Sequence, residues 1–231
     1  MTTIYLVRHG QASFGTENYD KLSPNGEIQA KVLGQYLDKI LKEEPYVVSG
    51  SMQRHQQTAR ISLDEYFPAA DIETNSAWNE FNHQQVFEKY DSNFSNPEVL
   101  KQSFATSGDS HKFLSEVFGH AVKRWTGNEH HDYDESWMEF QNRVDGAFKQ
   151  LCNELMDKKP RYAVVYTSGG VISTLIGNLL GLSVEKTFAL TWAIANTSIT
   201  TLRLVGNEPQ LLSLNEHHYL KTIDAQLLTW V

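Results

Sequence analysis

The sequence predicts an α/β fold: a three-layer α/β/α sandwich with a mostly parallel central sheet and an inserted cap region. Three observations carry this expectation. Short apolar runs alternate with amphipathic helical stretches from residue 3 to residue 74, an order that builds parallel neighbours. Regular patterning resumes near residue 134 and ends in further strand-like runs. Between the two, residues 82–131 hold polar residues and scattered aromatics with little periodicity, a length that fits a lid or insertion better than a connection. The chain therefore reads as a single domain, 1–231, with a cap at 82–131 inside it.

The elements follow in order. Thr3 to Val7 is a short buried strand. Ser23 to Lys42 is a helix, because Ile28, Val32, Leu33, Tyr36, Leu37, Ile40 and Leu41 recur at helical spacing. Ser23 suits its cap and Pro24 its first turn. Tyr46 to Ser49 is a second strand, Met52 to Tyr66 a second helix stopped by Pro68, and Asp71 to Thr74 a further short strand. After the insertion come a helix from Asp134 to Met156, a β-branched strand from Arg161 to Thr167, and an apolar helix from Val171 to Leu182. Ala189 to Ala195, Thr197 to Val205 and Gln210 to Leu214 read as final strands.

Composition excludes several function classes. The 231 residues, 40% hydrophobic and 21% charged, suffice for a substantial core. A net charge of -8 argues against general nucleic-acid binding, which needs a basic face. Cys152 is the single cysteine, so no internal disulfide forms and a reducing, cytoplasmic setting is expected. No signal peptide is expected, because the first strand begins almost at once. No window reaches the ~18 apolar residues of a membrane span, so no membrane partner is expected either. The oligomeric state is left open.

Chemistry-bearing residues stand at element ends. Arg8, His9 and Gly10 follow the first strand, and Arg54 opens the helix after the second. Glu80 follows the short strand at 71–74, and Ser168-Gly169-Gly170 joins the β-branched strand to the next helix. In a doubly wound sheet such ends gather along one edge. Two arginines can grip a phosphate through donors in fixed geometry. The helix start after Gly169 offers free backbone N–H groups for an anion. A neutral histidine attacks phosphorus while a carboxylic acid protonates the leaving oxygen. This set requires neither metal nor other cofactor.

These residues, in this order, resemble the histidine phosphatase superfamily, also called phosphoglycerate mutase-like. The resemblance rests on Arg8-His9-Gly10, Leu22-Ser23-Pro24-Asn25-Gly26 with Gln29-Ala30, Arg54 with Gln57-Thr58-Ala59, and Asn79-Glu80. It continues in Thr167-Ser168-Gly169-Gly170-Val171-Ile172 and Asn196-Thr197-Ser198-Ile199-Thr200. It implies that His9 becomes phosphohistidine, that Arg8 and Arg54 hold the phosphoryl oxygens, and that Glu80 is the proton donor. Gln11 and Ser13 fall where the family has loop residues near the phosphate, and Ser168 and Gly169 join the substrate-binding set. The inserted region would shape substrate choice.

One position departs from the pattern. The family usually carries a second histidine just before the paired glycines, and this chain has Ser168. Serine there is either a helix cap or a phosphate donor. A charged donor contributes about 1.5–3 kcal/mol against about 1 for a neutral one. A deficit of that size slows a reaction by roughly one or two powers of ten. Restoring histidine at 168 is accordingly expected to raise turnover. The departure favours hydrolysis over mutase chemistry, in which the phosphoenzyme must persist. The expected activity is metal-independent hydrolysis of a small organic phosphate ester. The alternatives are a pseudophosphatase that binds phosphate or a phosphorylated partner, and a phosphoglycerate mutase.

Other candidates are weaker on their chemistry. Ser168 as a hydrolase nucleophile lacks the flanking glycine, since Tyr166 stands there, and its base would be His217 or His218. His130-His131-Asp132 lacks a matched second cluster for a metal. His55, where the family has a small residue, either approaches the site or faces solvent. His83 could line the cap and add positive charge. Phe81, Phe87, Tyr90, Phe94, Phe104, Phe113 and Phe118, with Trp78, read mainly as a core for the cap. Its basic residues are few (Lys89, Lys101, Lys112, Lys123 and Arg124), which disfavours highly anionic substrates.

Overall fold

The computed structural model describes residues 1–13, 20–96, 99, 110–127, 129 and 131–230, with the backbone alone for 110–116. Its first strand, β1 (Thr2–Arg8), lies inside a six-stranded sheet of order β3-β2-β4-β1-β5-β6. β2 (Tyr46–Ser49) and β3 (Ile72–Thr74) follow, then β4 (Tyr162–Thr167), β5 (Ile199–Val205) and β6 (Glu208–Glu216). β1, β2, β3 and β4 run parallel, β5 pairs antiparallel with β1, and β6 pairs antiparallel with β5. Every residue of β4 is buried, as a strand covered on both faces requires. Helices cover both faces of this sheet, giving the expected three layers.

The helices of the first half match the sequence reading closely. α1 (Pro24–Ile40) starts where expected, with the Ser23 side chain accepting from Gly26 N. α2 (Gln53–Leu63) ends three residues early. The Leu63 carbonyl accepts from both Tyr66 N and Phe67 N, turning the chain so that Phe67 packs on the core. Val7, Val47, Val164 and Tyr166 of the sheet bury against Leu33, Leu37, Ala59 and Leu63 of these two helices.

The chain divides into two compact units, Met1–Glu80 with Val144–Val231, and Phe81–Arg143. The second unit is not the patternless stretch that its sequence suggested. It contains α3 (His83–Tyr90), a 3-10 turn at Ser92–Ser95, and α4 (Ser110–Thr126). Phe118, Ala121, Val122 and Trp125 are buried at i, i+3, i+4 and i+7, an apolar stripe of ordinary helical period. Phe81 stacks on Trp125 at 4.7 Å and meets Phe140 edge-on at 5.5 Å. Phe87 meets Phe94 and Phe118 edge-on. Tyr90 instead lies exposed, stacked on His120. Phe104 and the Phe113 side chain lie outside the described residues.

The next helix, α5 (Trp137–Lys158), begins in the second unit and continues into the first. It starts three residues later than expected. Ser136 and Glu139 form a reciprocal capping box: Ser136 N donates to Glu139 Oε2, and Glu139 N donates to Ser136 Oγ. Cys152 is buried on this helix, as its amphipathic pattern implies. α6 (Gly169–Leu180) begins directly after Ser168 and ends at Gly181, whose φ of 63° suits only glycine well.

The expected strand at 189–195 is a helix, α7 (Val184–Ala193), capped by Ser183. Its apolar run satisfied a strand pattern. The tertiary contacts fall instead at helical spacing, with Thr187 and Phe188 buried and Thr191 Oγ1 on Ser173 Oγ at 2.5 Å. A strand from Thr197 is also excluded, because Thr197 has φ 54° and the extended run starts at Ile199. Among the described residues no helix is long and apolar enough to cross a membrane.

α1 and α2 touch at a glycine. A Cβ on Gly34 would lie 2.5 Å from the Ser62 carbonyl oxygen, a backbone atom that cannot move alone. Gly34→Ala is expected to destabilise the protein by about 1–3 kcal/mol, through overpacking. A denaturant midpoint unchanged from the parent would contradict this crossing.

Candidate active site

The site is built by sheet register. β1 and β4 pair in parallel with Arg8 opposite Thr167, so His9 and Ser168 leave neighbouring strands together. His9 N donates to the Thr167 carbonyl at 2.9 Å. β1 connects through α1 to β2 on one side, and β4 leads through α6 and α7 to β5 on the other. The carboxyl ends of β1 and β4 are therefore a topological switch point, where such sheets bind ligands. Ser49 and Thr74 end the adjacent strands in the same register.

His9 is held at several points. Its Nδ1 lies 2.7 Å from the Gly10 carbonyl oxygen. A carbonyl only accepts, so Nδ1 carries the proton and a neutral ring leaves its lone pair on Nε2. Arg54 Nε donates to that Nε2 at 3.2 Å. The His9 carbonyl accepts from Asn196 Nδ2 and Thr197 N. Thr197 pays for this contact with a left-handed backbone that a β-branched residue seldom adopts. Gly10 N donates to Thr58 Oγ1, and a Cβ on Gly10 would come within 2.6 Å of the Gly26 carbonyl oxygen. Burial, followed by the charges of Arg54 and Arg8 and by His55, holds the His9 pKa well below its ordinary 6.5. The ring is therefore uncharged at neutral pH.

Arg54 is 3% exposed yet carries a charge, so it needs a counter-charge. Asp20 supplies it, with Oδ1 2.6 Å from Arg54 Nη1. The other oxygen of the same carboxylate accepts from Gln53 N at 2.8 Å, capping a helix whose own cap residue, Met52, has no suitable side chain. Asp20 thus fixes both the helix start and the guanidinium. It carried no recognisable pattern in the sequence.

Arg8 donates through Nη1 to the carbonyls of Ile194, at 2.5 Å, and Trp230, at 2.8 Å. Its Nε lies toward Gly169, 3.6 Å from where a Cβ would be. Glu80 Oε2 accepts from Gly170 N at 2.9 Å, so its carboxyl group sits at the start of α6. Asn79 fixes the approach: its side chain accepts from Ser51 N and donates to Ser51 Oγ.

Ser168 occupies the cap position of α6, but its side chain makes no capping bond. The hydroxyl lies 2.6 Å from His55 Nε2 instead. The cap reading of this side chain is therefore set aside. The same bond answers where His55 points. It is fully buried, and its ring centroid lies 5.5 Å from that of His9. Burial, then the charge of Arg54, keeps His55 uncharged as well. The imidazole on Ser168 is thus from α2 and not from His217 or His218, which stack on each other at 5.0 Å.

The remaining expectations sort by their contacts. Gln11 Oε1 accepts from Ser23 Oγ and Asn25 Nδ2, and Ser13 Oγ donates to the Leu22 carbonyl. Both side chains clasp the loop onto the start of α1. Asp132 is gripped by Arg124 through two bonds of 3.0 and 3.1 Å, the geometry of an ion pair. His130 lies outside the described residues, and His83 begins α3 in the second unit. Arg8, His9, Arg54, His55, Glu80, Ser168 and Gly169, with Asp20, all belong to the first unit.

In solved structures the fold resembles phosphoglycerate mutase from Bacillus anthracis, at 18% identity and a TM-score of 0.63 over 95% of each chain. It resembles phosphoserine phosphatase from Entamoeba histolytica at 19% identity and a TM-score of 0.62, over 95% of this chain and 100% of that one. A mycobacterial glucosyl-3-phosphoglycerate phosphatase is similar at 19% identity and a TM-score of 0.61, over 94% and 100%. These likenesses establish a shared fold. No curated protein matches the chain in sequence. The sequence model of the histidine phosphatase superfamily (branch 1) matches residues 4–93 and 105–217, most of the chain. On that match the chain belongs to the histidine phosphatase superfamily.

Proposed function

We propose that the protein is a phosphomonoester hydrolase working through phosphohistidine at His9. One observation carries the reading: a neutral His9 with its Nδ1 proton committed to Gly10 and its Nε2 lone pair directed at a buried arginine. His9 Nε2 attacks phosphorus, an N–P bond forms and the P–O ester bond breaks. The leaving oxygen takes its proton from the Glu80 carboxyl. Water then attacks the phosphoryl group, gives a proton back to Glu80, and the N–P bond breaks to release inorganic phosphate. Arg54 and Arg8 neutralise charge on the phosphoryl oxygens in both steps. No metal enters either step. The similar structures include enzymes named for small phosphorylated metabolites, which supports a small organic phosphate as substrate.

Ser168 favours one alternative, a phosphate-binding module without turnover, because a neutral donor stands at a position where the family has histidine. Steady hydrolysis of an aryl phosphate by the parent, lost in His9→Ala, is the expected result. Acid quenching should destroy the phosphoenzyme and alkaline quenching preserve it. A parent that binds phosphate but shows no catalytic cycle would leave the binding reading in place.

The low His9 pKa fixes the sign of the pH dependence. A group that stays deprotonated below its ordinary value keeps the nucleophile active in mild acid. The acidic limb of kcat/KM, after division by the ionisation of the substrate, should fall well below pH 6.5. The unfolded chain binds more protons at His9 and His55 than the folded one. Stability should therefore decline as pH drops below about 6.5. A limb at or above 6.5 would contradict a buried neutral His9.

Asp20→Asn removes the counter-charge of Arg54 while keeping the shape. It is expected to lower kcat/KM by about tenfold, since bonds to charged groups contribute about 1.5–3 kcal/mol. Phosphate affinity and turnover measured side by side check it. Unaltered values in both would remove Asp20 from the site.

A further inference from the structure

His55 and Ser168 are both fully buried and joined by one hydrogen bond of 2.6 Å. The bond links α2 to the turn after β4, the turn that stands beside His9 by the register of β1 and β4. Among the described residues, His55 Nδ1 has no hydrogen-bond partner. It faces Gly50, where any Cβ would collide with Nδ1. The ring is neutral, so one nitrogen carries a proton and the other does not. A proton on Nδ1 would bury an orphaned donor against Gly50, the rarer and costlier outcome. A proton on Nε2 leaves only an unused acceptor and makes Ser168 Oγ the receiver. The serine hydroxyl proton is then released for another acceptor.

We propose that His55 is a positioning residue whose Nε2–H donates to Ser168 Oγ and turns the Ser168 hydroxyl proton toward the phosphoryl group exchanged with His9. This rests on the phosphohistidine reading. The task of a single histidine before the paired glycines is divided here between a serine in place and an imidazole arriving from α2. Ser168 keeps its proton throughout, and no bond to phosphorus forms on it. At 2.6 Å from Nε2, the Ser168 side chain lies directly against the His55 ring, so a larger side chain at 168 would compete with His55 for the same space. The turnover gain expected from restoring histidine at 168 alone is withdrawn.

The test is a double-mutant cycle read on kcat with an aryl phosphate. Ser168→Ala is expected to lower kcat about tenfold, the value of one neutral hydrogen bond in the transition state. His55→Ala should lower it by a similar factor, and the double variant no further. Independent roles would multiply to about a hundredfold and overturn the proposal. His55→Gln retains a terminal N–H near Nε2 and should recover most of the loss. A folded His55→Gln as slow as His55→Ala would count against the bond. Ser168→His alone should be slow, and Ser168→His with His55→Ala faster than either parent variant; the reverse order overturns the shared-space argument. Imidazole 15N NMR should show the His55 proton on Nε2, and a proton on Nδ1 would falsify the relay. The two readings fail separately. Turnover in His9→Ala, or an acid-stable label on Ser168, defeats the phosphohistidine reading and this one with it. A phosphohistidine that forms normally beside a multiplicative cycle defeats the paired-donor proposal alone.

Discussion

The register of β1 against β4 is the constraint on which the site depends. Arg8 stands opposite Thr167, and the backbone bond from His9 N to the Thr167 carbonyl locks the next residue pair. Side chains alternate along a strand, so a one-residue slip would exchange every inward and outward position. β4 is buried throughout, and β1 buries Ile4, Leu6 and Val7, so a slip would also expose core. The same apolar area that stabilises the sheet therefore fixes His9 beside the Ser168 turn.

Electrostatic balance follows from that placement. Arg54 is paired with Asp20, Arg8 donates to two backbone carbonyls, and the Glu80 carboxyl accepts from the N-terminus of α6. Both histidines meet burial and positive neighbours by staying neutral. On the proposed mechanism, an arriving phosphoryl group would compete for donors that already have acceptors within the protein, and its dianionic charge would offset part of that cost.

Much of this was legible in the sequence, and what was missed has specific causes. Arg8, His9, Arg54 and Gly169 could be expected at one sheet edge because strand ends and helix starts place them there, while Glu80 and the roles of all five came from the family resemblance. Asp20 could not, because its partners, the Gln53 N–H and Arg54, lie 33 and 34 residues away with no periodicity linking them. α4 was legible and overlooked: its stripe of Phe118, Ala121, Val122 and Trp125 has the helical period, but the aromatics around it masked the spacing. The capping box at Ser136 and Glu139 was an equally readable start signal. α7 was misread because Ala189 to Ala195 is an apolar run too short for periodicity to choose helix or strand. Only its contacts through Thr187 and Thr191 decide the matter.

Ser168 and His55 show how far a single-position reading can mislead. Taken alone, the serine is a weakened site with a good helix cap, and the histidine an unexplained substitution. The hydrogen bond between them reverses both inferences, since the serine caps nothing and the histidine is fully buried. Gly50 completes the set, because a side chain there would displace the His55 ring. Three positions on α2, the β2 end and the β4 turn are thus sterically coupled, and changes at them are not additive. An alignment column judged for its own identity would score Ser168 as a loss. Judged with its partner, the serine is one half of a buried pair with His55, and the two positions have to be read together.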